Sequence, residues 1–278
     1  MTQFLDVQDG RLAYEVAGTG QLVVLAPGIG DRRQAYRFLA PQLVTAGYRV
    51  ASLDPRGQGE SSAEWPEFSR ASLAGDLLAL VRELGGPAVL VGHSFAAGAV
   101  TIAATREPEL VSAAVEIGPF TRVPKTSIGG LFTNRRYRRG ALRVMGTVLT
   151  GSVGRWSAYL DLAYPGPKPA DWDTELAALQ ATMREPGRMR ALRTMVMSDS
   201  KEAETQLASV HCPTLVVMGT LDADWTDPRA EAEAIVAALP AGLGSVAMIE
   251  GAGHYPHAQF PKEVARAVVT LLGVHTGA

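Results

Sequence analysis

Short, largely apolar runs recur along this chain, and they limit what it can fold into. "QLVVLAPG", "YRVASLD", "AVLV" and "LVSAAVEIG" lie in the first 120 residues, and "PTLVVMG" and "SVAMIE" follow residue 210. None alternates apolar with polar residues, so each reads as a strand covered on both faces. Helical patterns separate them. Tyr36, Leu39, Leu43 and Val44 recur at helical spacing before Gly47, "SLAGDLLALVREL" closes on Gly85-Gly86, and "AAGAVTIAATR" is rich in small residues. Alternation of this kind with short connections predicts a parallel sheet with helices on both faces. Ahead of it, "TQFLDVQDGRLAYEVAG" reads as a hairpin turning at Gln8-Asp9-Gly10.

The alternation stops at about Thr121 and resumes after about Ser209. The intervening stretch carries helical patterns, Trp156, Trp172 and the proline-rich "YPGPKPADWD", but no buried strand. Beyond it, Asp227 and Pro228 supply the cap and first-turn proline of the helix "PRAEAEAIVAAL", and "PKEVARAVVTLL" is the last helix. The expected organisation is one α/β domain made of residues 1–120 and 210–278, with residues 121–209 inserted as a helical unit.

Composition excludes several classes. A chain of 278 residues can bury a sizeable core, and a net charge of -2 does not suit a nucleic-acid binder. The basic run "NRRYRRGALR" reads as a solvated helix face or loop. No apolar run approaches the roughly 18 residues of a membrane span. The N-terminus lacks the basic and apolar regions of a signal peptide, and the single cysteine, Cys212, suits a reducing compartment. A cytoplasmic location is therefore expected.

In "LVGHSFAAGAV" a lone serine, Ser94, stands between a strand-like and a helix-like run, with Gly92 and Ala96 two positions to either side. A turn that tight forces strained backbone at the serine and excludes large neighbours. The hydroxyl is then held at the carboxyl edge of the sheet, facing helix N-terminal amides that favour an anion. The plain alternative is a serine that only caps the helix.

The pattern resembles the nucleophile elbow G-x-S-x-G of the α/β-hydrolase superfamily, with alanine at the last position. Three further segments are similar to that family in the same order: "APGIG", "DPRGQGES" and "GAGHYPH". The resemblance implies a mostly parallel eight-stranded sheet flanked by helices, the inserted segment forming a cap. It implies Ser94 as nucleophile and His254 as base. Backbone amides of Ile29 and Phe95 would form the oxyanion hole, although Pro27-Gly28 replaces the His-Gly of many relatives. The glycine-rich loop before His254 suits a ring projecting over the sheet edge. Among rival histidines, His93 lies inside the elbow, His211 precedes a strand at the opposite edge, His257 reads as a surface or pocket-wall residue, and His275 is in the tail.

A carboxylate must hold the imidazole. Asp222, in "MGTLDADWTDP", has the family spacing. Asp224 is the alternative and is expected to point away from the histidine. Asp227 reads as the helix cap, and Glu116 is a weaker competitor. No histidine pair has metal-ligand spacing, so neither metal nor cofactor is expected. Arg56 reads as a tie for its own loop. Trp156, Tyr159, Trp172 and Tyr255 are the candidate pocket residues.

A serine nucleophile argues against chemistry that forms an ester on a carboxylate, as in dehalogenases and epoxide hydrolases. The expectation is a serine hydrolase acting on an ester, thioester or lactone of a small to medium, largely apolar molecule. The sequence leaves open a ligand sensor with little turnover, or a perhydrolase or C–C bond hydrolase with the same triad. It also leaves open whether the chain forms a homo-oligomer.

Overall fold

A computed structural model describes residues 1–124 and 128–275, with the side chains of residues 274 and 275 outside the description. An eight-stranded sheet runs in the order β1-β2-β4-β3-β5-β6-β7-β8. The strands are β1 (Gln3–Val7), β2 (Gly10–Ala17), β3 (Leu22–Ala26), β4 (Arg49–Leu53), β5 (Ala88–His93), β6 (Val111–Ile117), β7 (Thr214–Gly219) and β8 (Gly244–Ile249). The N-terminal hairpin is antiparallel and joins β4 antiparallel, whereas β4-β3-β5-β6-β7-β8 are all parallel. Every residue of β3, β5 and β7 is buried, as continuous apolar runs require.

One face of the sheet carries α2 (Arg70–Leu84), α3 (Phe95–Arg106) and α10 (Pro228–Ala238); the other carries α1 (Leu39–Thr45) and α12 (Pro261–His275). The local signals act as expected. Ser69 caps α2 in a reciprocal box with Ser72, and Asp227 accepts a hydrogen bond from the Ala230 amide at the start of α10.

After β3 the chain builds β4 on one side, then crosses to β5 on the other. That reversal opens a crevice at the carboxyl ends of the strands, where α/β sheets bind ligands. Between β6 and β7 lie α4 (Ile128–Thr133), α5 (Arg135–Thr150), α6 (Val153–Ala163), α7 (Trp172–Met183), α8 (Arg188–Met197) and α9 (Lys201–Gln206). Trp156, Tyr159 and Leu160 of α6 pack with Tyr255 and Ala258, which ties these helices to the loop after β8. By contrast, α9 lies on α3, with Ala203 fully buried there. The basic run begins α5, capped by the Asn134 side chain. No helix among the described residues is long and apolar enough to cross a membrane.

Candidate active site

Ser94 follows β5 directly and has φ 56° and ψ -115°, one of two non-glycine residues with positive φ among those described. It occupies the N-cap position of α3 but makes no capping hydrogen bond, so the cap-only reading fails. Its hydroxyl bonds to no described residue and faces a cavity. The tightness of the elbow is set by Gly92: a Cβ there would lie 2.4 Å from the Ala96 carbonyl oxygen. The side chain at position 96 is only a methyl group and is fully buried, so alanine fits where the family motif has glycine.

His254 reaches the same cavity from the loop after β8, its amide donating to the Ala163 carbonyl at 2.9 Å. Its ring lies against Gly118, where φ is 51° and a Cβ would sit 3.1 Å from Nδ1. Nδ1 is 2.8 Å from Asp222 Oδ2, and both side chains are buried. Asp224, expected to point away, does not. Its Oδ2 lies 3.4 Å from the same Nδ1 and accepts a 2.5 Å hydrogen bond from the Tyr159 hydroxyl. The cause is a tight loop in which Asp222 Oδ1 accepts from the Asp224 amide at 3.0 Å, folding the second carboxylate back toward the ring.

Burial alone would push the His254 pKa down, but the charges of Asp222 and Asp224 and the Asp222 hydrogen bond outweigh it and raise the value to about 9. Burial first, then the nearby Asp222 charge, raises Asp224 to about 6 against the pull of His254 and the Tyr159 hydrogen bond. Asp222, Asp224 and His254 are also close enough to offer three donors to a small cation. The 2.8 Å contact is a hydrogen-bond length, and a proton shared there satisfies both groups.

The other candidates separate clearly. His93 is fully buried, and its Nε2 lies 2.9 Å from the His254 carbonyl, a contact in which the ring N–H donates. His257 is not a surface or pocket-wall residue: it is fully buried between Tyr36 and His93, at ring distances of 4.8 and 4.7 Å. Pro256 starts the one-turn helix α11 (Pro256–Gln259), which turns the ring inward. His211 is exposed. His275 closes α12, its side chain outside the described residues. Glu116 is fully buried and bonded to Thr101 and Thr121, with burial raising its pKa to about 7. Arg56 pairs with both oxygens of Asp76 at 2.8 Å and bonds the Glu67 and Ser72 carbonyls, so it ties its loop to α2.

The cavity has a volume of about 420 Å³. Ile29, Ser94, Phe95, Trp156, Tyr159 and Tyr255 line it. Trp172 does not. It packs against the Tyr164 ring at 4.6 Å and under the Lys168 ammonium at 4.3 Å, because it heads α7 on the far side of the aromatic cluster. Sequence reasoning missed Arg70, Phe120 and Val148, which also line the cavity together with Met195 of the inserted segment.

The alpha/beta hydrolase family model matches residues 23–267. The chain belongs to the alpha/beta hydrolase family. It is 26% identical to epoxide hydrolase A of Mycobacterium tuberculosis, covering 97% of this chain and 96% of that one. It is 35% identical over 114 residues to bifunctional epoxide hydrolase 2 of Sus scrofa, where the match covers 40% of this chain and spans only 20% of that protein's length. Over 104 residues it is 39% identical to a probable esterase of Oryza sativa subsp. japonica, covering 35% of this chain and 38% of that one. Among solved structures, a thermophilic esterase from Thermogutta terrifontis superposes with a TM-score of 0.75 at 21% identity, covering 97% and 98% of the two chains. The esterase EaEST from Exiguobacterium antarcticum gives 0.79 at 18% identity over 97% and 98%. These structures share the fold.

Proposed function

We propose that this hydrolase is a serine esterase-type enzyme, cleaving an ester, thioester or lactone through an acyl-enzyme on Ser94. The observation that carries the reading is a strained serine and a carboxylate-bound histidine opening into one cavity. In this reading His254 takes the Ser94 proton as the hydroxyl attacks the carbonyl, and Asp222 holds the imidazole and its positive charge. A Ser94–His254 hydrogen bond would form as substrate fills the cavity and the two side chains close on each other. The Ile29 and Phe95 amides would take the charge of the tetrahedral oxyanion, a contribution of about 2.7–4 kcal/mol per donor in comparable sites. His254 then protonates the leaving group, and water repeats the sequence to release the acid.

Residues 121–209 act as the cap in this proposal, supplying Trp156 and Tyr159 to a largely apolar pocket for a small molecule. The relatives named as epoxide hydrolases do not redirect the reading, because a serine ester, not a carboxylate ester, is what this elbow can form. The lone, buried Cys212 supports a cytoplasmic site of action.

The test is labelling by a fluorophosphonate with turnover of p-nitrophenyl esters. Wild type should label at Ser94 alone, and Ser94→Ala should lose both labelling and turnover while keeping its thermal midpoint. Full activity in that variant would sink the assignment.

A further inference from the structure

Arg70 is the first residue of α2, placed by the Ser69 cap. It is only 7% exposed, yet it lines the cavity that holds Ser94 and His254. Its guanidinium lies over the Phe95 ring at 4.3 Å, one residue from the candidate nucleophile. Gly98 permits this approach, since a Cβ there would meet Arg70 Cδ at 2.7 Å.

The buried arginines among the described residues are Arg33, Arg56, Arg70 and Arg188. Arg33 faces Asp54 and Glu60, Arg56 meets Asp76, and Arg188 meets Glu185. Arg70 alone has no described carboxylate within ion-pair reach. Its Nη1 donates to the Ser198 carbonyl, the Ser198 hydroxyl and the Asp199 carbonyl at 3.4, 3.3 and 2.9 Å. Nε is buried without an acceptor, and Nη2 makes no hydrogen bond to a described residue. Burial pushes its pKa down to about 10, and Asp199 opposes this only through space. The Asp199 carboxylate is exposed and accepts from the Lys201 amide at 3.0 Å. A guanidinium stays charged at neutral pH, so this buried cation is met by carbonyl and hydroxyl oxygens and by the Phe95 ring, but by no paired carboxylate.

We propose that Arg70 anchors a carboxylate carried by the substrate itself. The claim rests on the serine-hydrolase reading and narrows its substrate class. The substrate is an ester whose acyl or alcohol part ends in a carboxylate, with an apolar stretch between that group and the scissile carbonyl. Phe120, Val148 and Met195 would cover the stretch, and Arg70 would bind the end. Unlike the arginines already paired with carboxylates, it lines the cavity, and its Nη2 is left to donate to a planar oxyanion there.

The experiment compares charged and neutral esters of matched length. Mono-p-nitrophenyl esters of the diacids from succinate to pimelate are set against the corresponding neutral acyl esters. Acetate esters of short hydroxy acids are set against those of matching alcohols. Wild type should favour the charged member of at least one pair in kcat/KM. Arg70→Gln should lower that charged-to-neutral ratio about tenfold or more, chiefly through KM, and Arg70→Lys should recover part of it. A wild-type preference for the neutral member in every pair, or a ratio unmoved by Arg70→Gln, overturns the proposal. A purely structural Arg70 would lose both members together. If Arg70→Gln does not fold, inhibition of wild type decides. Monomethyl esters of the diacids must inhibit more tightly than methyl esters of the monoacids; equal inhibition overturns the anchor. Should no ester turn over, calorimetry of those monoesters with Ser94→Ala reads the anchor alone, so the two failures stay distinct.

Discussion

The second carboxylate beside His254 makes a prediction that a single Asp–His pair would not. Nδ1 has Asp222 at 2.8 Å and Asp224 at 3.4 Å, and together they raise the histidine to about 9. A base with that value is neutral in only about one molecule in a hundred at pH 7. If His254 is the base, kcat/KM should climb through the alkaline range instead of levelling near the ordinary histidine pKa of about 6.5. Asp224→Asn removes one negative charge and keeps an acceptor for Tyr159. Loss of an opposite charge at this range lowers a histidine by about one to three pH units. The lower part of that range applies, because Asp222 keeps the direct hydrogen bond. The rising limb of the kcat/KM profile should therefore move to lower pH by about one unit, giving a larger share of maximal activity at pH 7. Asp222→Asn should instead cut the plateau by about 100- to 10,000-fold, with Asp224 holding the loss toward the smaller figure. Thermal midpoints give a second reading with the same sign. A histidine raised above its unfolded value stabilises the fold fully below about pH 6.5, and that share is lost as pH rises to about 9. The decline over that window should be shallower in Asp224→Asn. The assay is a pH-stat rate series on an unactivated ester, with melting scans at matched pH. A rising limb unmoved by Asp224→Asn would refute the electrostatic reasoning. Collapse of the plateau in Asp224→Asn but not in Asp222→Asn would reverse the assignment of the two acids.

Two further outcomes are expected. Trp156→Phe should change the preferred acyl length on a p-nitrophenyl ester series, because Trp156 lines the cavity, whereas Trp172→Phe should not, since Trp172 packs on Tyr164 and Lys168 away from it. Gly92→Ala should destabilise by about 1–3 kcal/mol in urea titrations, because its Cβ would lie 2.4 Å from a backbone oxygen that cannot rotate aside.

The architecture is legible because burial on both faces writes itself as unbroken apolar runs. Leu22–Ala26, Ala88–His93 and Thr214–Gly219 are covered throughout, and their sequences alone point to a parallel sheet. Turn chemistry is equally plain where one residue decides the geometry, as with the Asp227 cap and the hairpin at Asp9, whose φ is 71°. Strand ends are less so. The strand before the elbow continues to His93 because the backbone stays paired with β6 up to Ile117, a matter of register that no local pattern announces.

For the site, residues that follow a strand within a recognisable segment can be placed from sequence, whereas the direction of a loop side chain and the approach of a distant helix cannot. Ser94 and His254 stand out through small neighbours, buried strands and the family resemblance, and the structure brings both to one cavity. Asp224 is misjudged because spacing along a loop carries no period, and only the turn closed by Asp222 Oδ1 on the Asp224 amide aims both carboxylates at one ring. Arg70 is invisible for a different reason. At the first position of a capped helix an arginine normally reads as solvated, and nothing local says that Gly98 of a neighbouring helix lets it sink against Phe95. The features that distinguish this pocket from others on the same sheet thus arise from packing between segments far apart in the chain. Those long-range contacts, and not the elbow itself, are where the choice of substrate is to be sought.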